Sequence, residues 1–61
     1  MNNIRKFRKK LGWSQAELGK KVFISPQVIS YYESEKKEPR ISMAKAIAKA
    51  LNVSLYELFP D

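Results

Sequence analysis

The sequence predicts an all-α fold, a compact bundle of five short helices. A serine hydroxyl at an N-cap accepts a hydrogen bond from a free backbone N–H of the first helical turn. Apolar residues at i, i+3, i+4 and i+7 mark one buried helix face. With 61 residues the chain is expected to be one domain, 1–61, with a small core that favours dimerisation. The expected helix starts after the first are hydrophobic–serine pairs: Trp13-Ser14, Ile24-Ser25, Ile41-Ser42 and Val53-Ser54.

The composition is strongly basic and contains neither cysteine nor histidine. The chain has 12 lysines and arginines against 6 acidic residues, which gives a net charge of +6. Without Cys and His, disulfides, thiolate nucleophiles, imidazole bases and the usual zinc sites are excluded. The charge favours a polyanionic partner, first nucleic acid and second an acidic membrane surface, although basic charge also keeps small proteins soluble.

Enzyme functions find little support in the sequence. The carboxylate cluster of Glu33, Glu35 and Glu38 is flanked by lysines, which argues against a metal site or an acid–base pair. There is no Gly-rich phosphate loop. We therefore expect no catalysis, no metal, no cofactor and no small-molecule ligand. No apolar run reaches membrane-spanning length and the N-terminus lacks a signal-peptide core, so we expect a cytoplasmic protein.

The first helix is expected from Asn2 to Leu11, with Gly12 ending it. Its apolar face holds Ile4, Phe7 and Leu11, and Arg8 lies on the same face. A buried arginine needs a carboxylate partner, and Glu33 is the best one available. The basic residues on the other faces either lie near phosphate or form a solvated surface. Among them Lys10 is assigned to phosphate.

Residues 14–33 are expected to form a helix-turn-helix from the second and third helices. The second runs from Ser14 to about Lys21 and begins with a capping box of Ser14 and Glu17. The third runs from Ser25, its N-cap, to about Glu33. Two capped helices separated by so few residues are typical of this motif. Gly19 is expected to allow the close approach of the third helix.

The outer face of the third helix carries no charge, although charge is usual on a solvated helix. Gln, Ser and Tyr side chains suit the edges of bases, and a valine can touch a thymine methyl group. A small polar face also arises by chance, and we weigh it as the alternative. The residues expected to read bases are Pro26, Gln27, Val28, Ser30 and Tyr31.

Residues expected to contact phosphate flank that face. Gln15, at the start of the second helix, has an amide that can donate to phosphate. Ser25 lies at the N-terminus of the third helix. The loop from 34 to 41 adds Lys36, Lys37 and Arg40.

The last two helices are expected to complete the core. The fourth runs from Ser42, its cap, to Leu51. The fifth begins at Ser54 and presents Leu55, Tyr56 and Phe59. These apolar residues either form a dimer contact or pack on the first and fourth helices, and the sequence does not choose between the two.

Several motifs together resemble the Xre/Cro-type helix-turn-helix repressors. The resemblance spans nearly the whole chain and implies a five-helix fold of the phage-repressor DNA-binding-domain type and a two-fold dimer on a palindromic operator. It also implies that Gln15 contacts phosphate, that Pro26, Gln27, Val28 and Tyr31 face the major groove, and that Arg8 pairs with Glu33. The matching residues are Ser14-Gln15-Ala16-Glu17-Leu18, Val22, Ile24-Ser25, Ile29-Ser30, Glu33, Pro39, Ile47-Ala48, Leu51-Asn52-Val53-Ser54 and Leu58.

The chain departs from that family at four positions. Phe23 and Glu35 stand where the family usually has glycine. A positive φ at Phe23 would be strained, and the sequence leaves the shape of the turn and of the exit of the third helix open. Gly19 stands where alanine is usual. Pro26 replaces a residue that can read a base with a polar side chain, which leaves more of the specificity to Gln27 and Tyr31.

We interpret the sequence as a DNA-binding transcriptional regulator, a repressor that binds a palindromic operator in double-stranded DNA as a homodimer. Membrane binding is not expected. One alternative is an antitoxin or a restriction-system controller of the same fold, and an added toxin-binding segment would favour the antitoxin. Another is a protein-interaction module that dimerises with a different regulator, and weak DNA binding without sequence preference would favour it.

Overall fold

A computed structural model describes residues 2–60, and within them the chain forms five α-helices joined by short turns. The all-α prediction is confirmed. The expected domain of 1–61 also includes Met1 and Asp61, which lie outside the described residues. Across residues 2–60, no helix has the length and apolarity needed to cross a bilayer. The helices are α1 (Ile4–Lys10), α2 (Gln15–Val22), α3 (Pro26–Glu33), α4 (Ile41–Leu51) and α5 (Leu55–Leu58).

Serine caps begin three of the helices as expected. The hydroxyls of Ser14, Ser25 and Ser54 each accept a backbone N–H from the first turn of α2, α3 and α5. In α2 the backbone N–H of Ser14 donates to the Glu17 carboxylate at 2.8 Å. That hydrogen bond, with a second from the Ser14 side chain, lowers the pKa of Glu17 below its ordinary value. The Glu17 carboxylate of the capping box therefore stays charged to a lower pH than an ordinary glutamate.

The expected cap of α4 is wrong. Ala44 N–H donates to the carbonyl of Arg40 at 2.8 Å, so Arg40 is the N-cap and Ser42 is already the second residue of the helix. The extended backbone of Arg40 (φ −63°, ψ 160°) directs the chain into the helix without any side-chain cap. Leu11 also differs from expectation. It lies beyond the last residue of α1 and is 46% exposed instead of buried.

Each helix contributes one fully buried large side chain to a common core. Because every helix has its anchor in the same cluster, the position of α3 depends on all the others. Burying a side chain of this size contributes about 1.5–3 kcal/mol. The buried anchors are Ile4, Leu18, Ile29, Ile47 and Leu58.

The turn between α2 and α3 depends on two unusual residues. A Cβ on Gly19 would collide with the backbone carbonyl oxygen of Ile24, so glycine permits the close approach expected of it. The approach is to the turn that leads into α3. Phe23 adopts the left-handed conformation (φ 63°, ψ 39°), and its side chain is 92% exposed. The left-handed turn is therefore retained with phenylalanine in place of glycine, in the strained positive-φ conformation that the sequence had left open.

The exit of α3 shows the same substitution. Glu35 has φ 63°, and the N–H of Lys36 donates to the carbonyl of Tyr31 at 2.9 Å. The Glu35 carboxylate accepts the backbone N–H of Asn2 at 3.0 Å. A glutamate therefore occupies the left-handed position and binds the N-terminal segment to the end of α3.

Replacing Phe23 with glycine is expected to stabilise the protein. A left-handed residue with a Cβ costs about 1–2 kcal/mol, and the exposed ring loses little packing when it is removed. We expect Phe23→Gly to raise the free energy of unfolding by about 1 kcal/mol in urea denaturation. Asn52→Gly is the matched control, because asparagine tolerates the left-handed conformation that Asn52 adopts at the end of α4. A lower stability for Phe23→Gly would contradict the strain at this turn.

Candidate nucleic-acid interface

A buried ion pair joins α1 to the end of α3. Arg8 Nε lies 2.6 Å from Glu33 Oε2, and Arg8 Nη2 lies 3.1 Å from Glu33 Oε1. The side chains are only 8% and 7% exposed. The third donor group, Nη1, binds the backbone carbonyl of Trp13 at 2.8 Å. The predicted pairing of Arg8 with Glu33 is confirmed, and it also fixes the turn between α1 and α2.

Gln15 connects α2 to the same carboxylate. Its Nε2 donates to Glu33 Oε1 at 3.1 Å. An amide group has two N–H donors, so one remains available to another acceptor. Among residues 2–60, no buried side-chain nitrogen or oxygen lacks a hydrogen-bond partner. The network therefore holds the start of α2 beside the end of α3 with its polar atoms satisfied.

The outer face of α3 is accessible along its length. Pro26 and Gln27 are exposed, while Val28, Ser30 and Tyr31 are half-buried. Gln27 Nε2 donates to the hydroxyl oxygen of Tyr31 at 2.8 Å. These residues, which sequence analysis assigned to base reading, share a surface without any charged side chain.

A polar cleft lies beside this face. It is lined by two of the basic α1 residues for which the sequence left open a phosphate contact or a solvated surface. Arg5 and Lys9, one turn apart on α1, line it with Ser14, Gln15 and Ser30. Helical spacing around Arg8 carries the signal. Arg5 lies three residues before Arg8, and Lys9 lies four residues after Arg5, which are spacings that place side chains on one helix face.

The other predicted phosphate contacts lie away from this cleft. Lys10 has its ammonium 5.7 Å from the centre of the Phe7 ring, on another side of α1. Ser25 caps α3 and its hydroxyl accepts the N–H of Val28 at 3.3 Å. Lys36 and Lys37 follow α3, and both of their backbone N–H groups bind the carbonyl of Tyr31. Arg40 is exposed at the start of α4. Within residues 2–60, no cluster of acidic residues suits a metal ion.

An apolar patch occupies the end of the molecule formed by α4 and α5. Leu55, Tyr56 and Phe59 line a shallow groove with Ile41 and Ala44. Tyr56 is 87% exposed and Ile41 is 73% exposed, whereas Phe59 packs partly on the core. Ile41 was not predicted to belong to this patch, because it was expected to precede the fourth helix. Packing on the core, one of the two interpretations left open, holds in part for Phe59. Tyr56 presents an uncovered surface, and the dimer contact stays a prediction.

Comparison with known proteins places this arrangement in a family. A family model described as helix-turn-helix matches residues 4–58. The chain belongs to the helix-turn-helix family. Two helix-turn-helix-type transcriptional regulators of Archaeoglobus fulgidus are similar to it. One is 39% identical over 56 residues, covering 92% of this chain and 80% of the relative. The other is 32% identical over 56 residues, covering 92% and 79%.

Solved structures share the fold of this helix-turn-helix protein. The P22 c2 repressor, in a crystal structure with a synthetic operator, has a TM-score of 0.86 and 44% identity over 95% of this chain and 89% of its own. A hypothetical transcription factor from Neisseria, NHTF, has a TM-score of 0.84 and 33% identity over 90% of this chain and 62% of its own. The expected phage-repressor fold is confirmed, and the family is one of transcriptional regulators, not enzymes.

Removing one member of the ion pair is expected to destabilise the fold strongly. Arg8→Ala leaves the Glu33 carboxylate buried without its charge partner, which costs about 3–5 kcal/mol. Urea denaturation measures the loss. Arg5→Ala, an exposed arginine on the same helix, should change stability by no more than about 0.5 kcal/mol.

A paired replacement separates the charge effect from packing. Arg8→Met with Glu33→Leu removes both charges and should recover much of the stability that Arg8→Ala loses. An unchanged unfolding midpoint in Arg8→Ala would show that the pair does not hold α1 to α3.

Proposed function

We propose that this protein is a sequence-specific DNA-binding transcriptional regulator, a repressor that binds a palindromic operator as a homodimer. The observation that carries the proposal is the uncharged, accessible face of α3 with basic side chains beside it. The similarity to a repressor crystallised with an operator supports it. Repression would follow from occluding a promoter, and it requires a cytoplasmic protein in contact with DNA.

In this proposal α3 enters the major groove and its outer face reads base edges. An α-helix fits the major groove, where each base pair presents a distinct pattern of donors and acceptors. The natural contact of Gln27 is bidentate to adenine, with Nε2–H donating to N7 and Oε1 accepting from N6. Ser30 and Tyr31 offer hydroxyl groups, and Val28 suits a thymine methyl group. Pro26 allows close approach at the start of the helix.

Phosphate contacts on both sides of α3 would supply the salt-sensitive part of the affinity. Gln15 keeps one amide N–H beyond its bond to Glu33. Arg5 and Lys9 share its cleft, and these two are the strongest basic candidates. The hydroxyl of Ser25 would contact a phosphate of the same DNA strand. The exposed cations assigned further from the cleft are Lys10, Lys36, Lys37 and Arg40.

A second copy of the chain is the proposed partner of the apolar patch. Tyr56 and Ile41 are largely exposed there, and a chain of 61 residues has little core of its own. The Cα extents are 25 × 22 × 18 Å. Two touching copies would hold their α3 helices at a separation comparable with the roughly 34 Å between successive half-sites.

Selection from a random duplex pool at near-physiological salt tests the function. We expect an enriched two-fold motif, and Gln27→Ala should cost about 1–3 kcal/mol on that motif and relax one base position. Lys9→Ala should instead weaken binding to all sequences alike, and it should reduce the slope of log affinity against log salt concentration by about 1. Ser42→Ala, exposed on α4, is the control. A folded protein that enriches no motif would contradict sequence-specific binding and favour the protein-interaction module.

Self-association tests the dimer. Ile41→Ser and Tyr56→Ser each remove exposed apolar surface from the patch and should shift sedimentation equilibrium towards monomer. Phe23→Asn removes an equally exposed aromatic ring outside the patch, in a residue type that accepts the left-handed turn. It should leave the equilibrium unchanged. A dimer of undiminished affinity in both patch variants would move the interface elsewhere.

A further inference from the structure

Two of the residues on the outer face of α3 form a hydrogen-bonded pair. Gln27 Nε2 donates to Tyr31 Oη at 2.8 Å, from one turn of the helix to the next. Gln27 is exposed and Tyr31 is half-buried. An exposed hydrogen bond between neutral groups contributes little to stability, because water replaces either partner. The consequence of this bond therefore lies in how the two side chains are presented to solvent.

The bond leaves a defined set of donors and acceptors free. A glutamine amide has two N–H donors and a carbonyl oxygen, and a tyrosine hydroxyl can accept one hydrogen bond while donating its own proton. With one Gln27 N–H used, the amide still offers Oε1 as an acceptor and the second N–H as a donor. The Tyr31 O–H remains a donor. The pair therefore presents one acceptor, Gln27 Oε1, and two donors, the second Gln27 N–H and the Tyr31 O–H.

The bond also holds the Gln27 amide against Tyr31 with its nitrogen towards the hydroxyl. A glutamine that lacks a partner rotates freely about its last torsion and exchanges the positions of its oxygen and nitrogen. In the structure Tyr31 Oη accepts from Nε2, which places the amide nitrogen on the Tyr31 side and the oxygen on the other. A flipped amide would have to accept the Tyr31 proton, and the hydroxyl would then have no donor left for DNA. Adenine needs that fixed order of one donor and one acceptor in the major groove.

We propose that Tyr31 is a positioning residue that orients the Gln27 amide for adenine, so that the pair reads DNA as one unit. Its free O–H faces the neighbouring base pair and favours a major-groove acceptor there, guanine or thymine. This inference rests on the proposed function and adds to it that Gln27 discriminates between bases only while Tyr31 holds its amide.

Replacing Tyr31 with phenylalanine removes a single oxygen and keeps the ring. Binding is compared on two kinds of duplex. One is the selected motif, and the others are variants of it in which the adenine-containing base pair that depends on Gln27 is replaced in turn by each of the other base pairs. Gln27→Ala should reduce the preference for adenine at that pair by roughly tenfold or more. Tyr31→Phe should reduce the preference at the same pair by at least about threefold, and less at distant pairs.

A double-mutant cycle gives the decisive comparison. Once Gln27 is alanine, Tyr31→Phe should have no further effect at the adenine pair, so the two effects are strongly non-additive. Tyr32→Phe is the matched control, with the same atom removed from the next residue of α3, and it should leave the preference at that pair unchanged.

Several results would overturn the pairing. Additive effects, an unchanged adenine preference in Tyr31→Phe, or equal weakening on all duplexes would show that Tyr31 does not orient Gln27. A base other than adenine at the Gln27-dependent pair would overturn the proposed amide order. Absence of any base preference in the unaltered protein is a different failure, since it contradicts the proposed function itself.

Discussion

The buried ion pair between Arg8 and Glu33 holds the outer face of α3 in place. The guanidinium makes two contacts with the carboxylate and a third with the Trp13 carbonyl. Gln15 adds a bond from α2 to the same carboxylate. Two buried charges carry a large desolvation cost, so the pair adds little net stability, but losing one partner is severe. Its main effect is geometric, because α1, α2 and α3 meet at Glu33.

This junction also explains why the candidate interface has its shape. The side of α3 that carries Ile29 and Glu33 is committed to the core and the ion pair, which leaves Gln27 and Tyr31 outward. The same carboxylate that binds Arg8 holds Gln15 at the cleft edge. The elements that stabilise the fold thus position both the surface proposed to read bases and the amide proposed to bind phosphate.

Much of this architecture could be predicted from local signals. Ser14, Ser25 and Ser54 act as caps because each bond forms within one turn, and Arg8 needed a carboxylate because its helical position is apolar. The start of α4 was predicted wrongly because serine is a preferred N-cap residue, which pointed to Ser42. The extended backbone of Arg40 decides where the helix begins.

Other features depended on three-dimensional contacts that no sequence pattern reports. Arg5 and Lys9 have helical spacing that the sequence shows, but their place in the cleft also depends on the contact of Arg8 with Glu33, which sets the rotation of α1. Phe23 adopts the left-handed conformation although it has a Cβ. The same turn brings the Ile24 carbonyl oxygen so close to Gly19 that no side chain fits there. The bond between Gln27 and Tyr31 depends on side-chain rotamers, which helical spacing permits without requiring.

Methylation protection on a selected duplex tests most directly that α3 reads DNA from the major groove. Dimethyl sulfate modifies guanine at N7 in the major groove and adenine at N3 in the minor groove. The account predicts protection of guanine N7 in two segments about one helical turn, roughly 10–10.5 base pairs, apart. Adenine N3 within those segments should remain reactive. Protection confined to the minor groove, or none on a duplex that the protein binds, would contradict it.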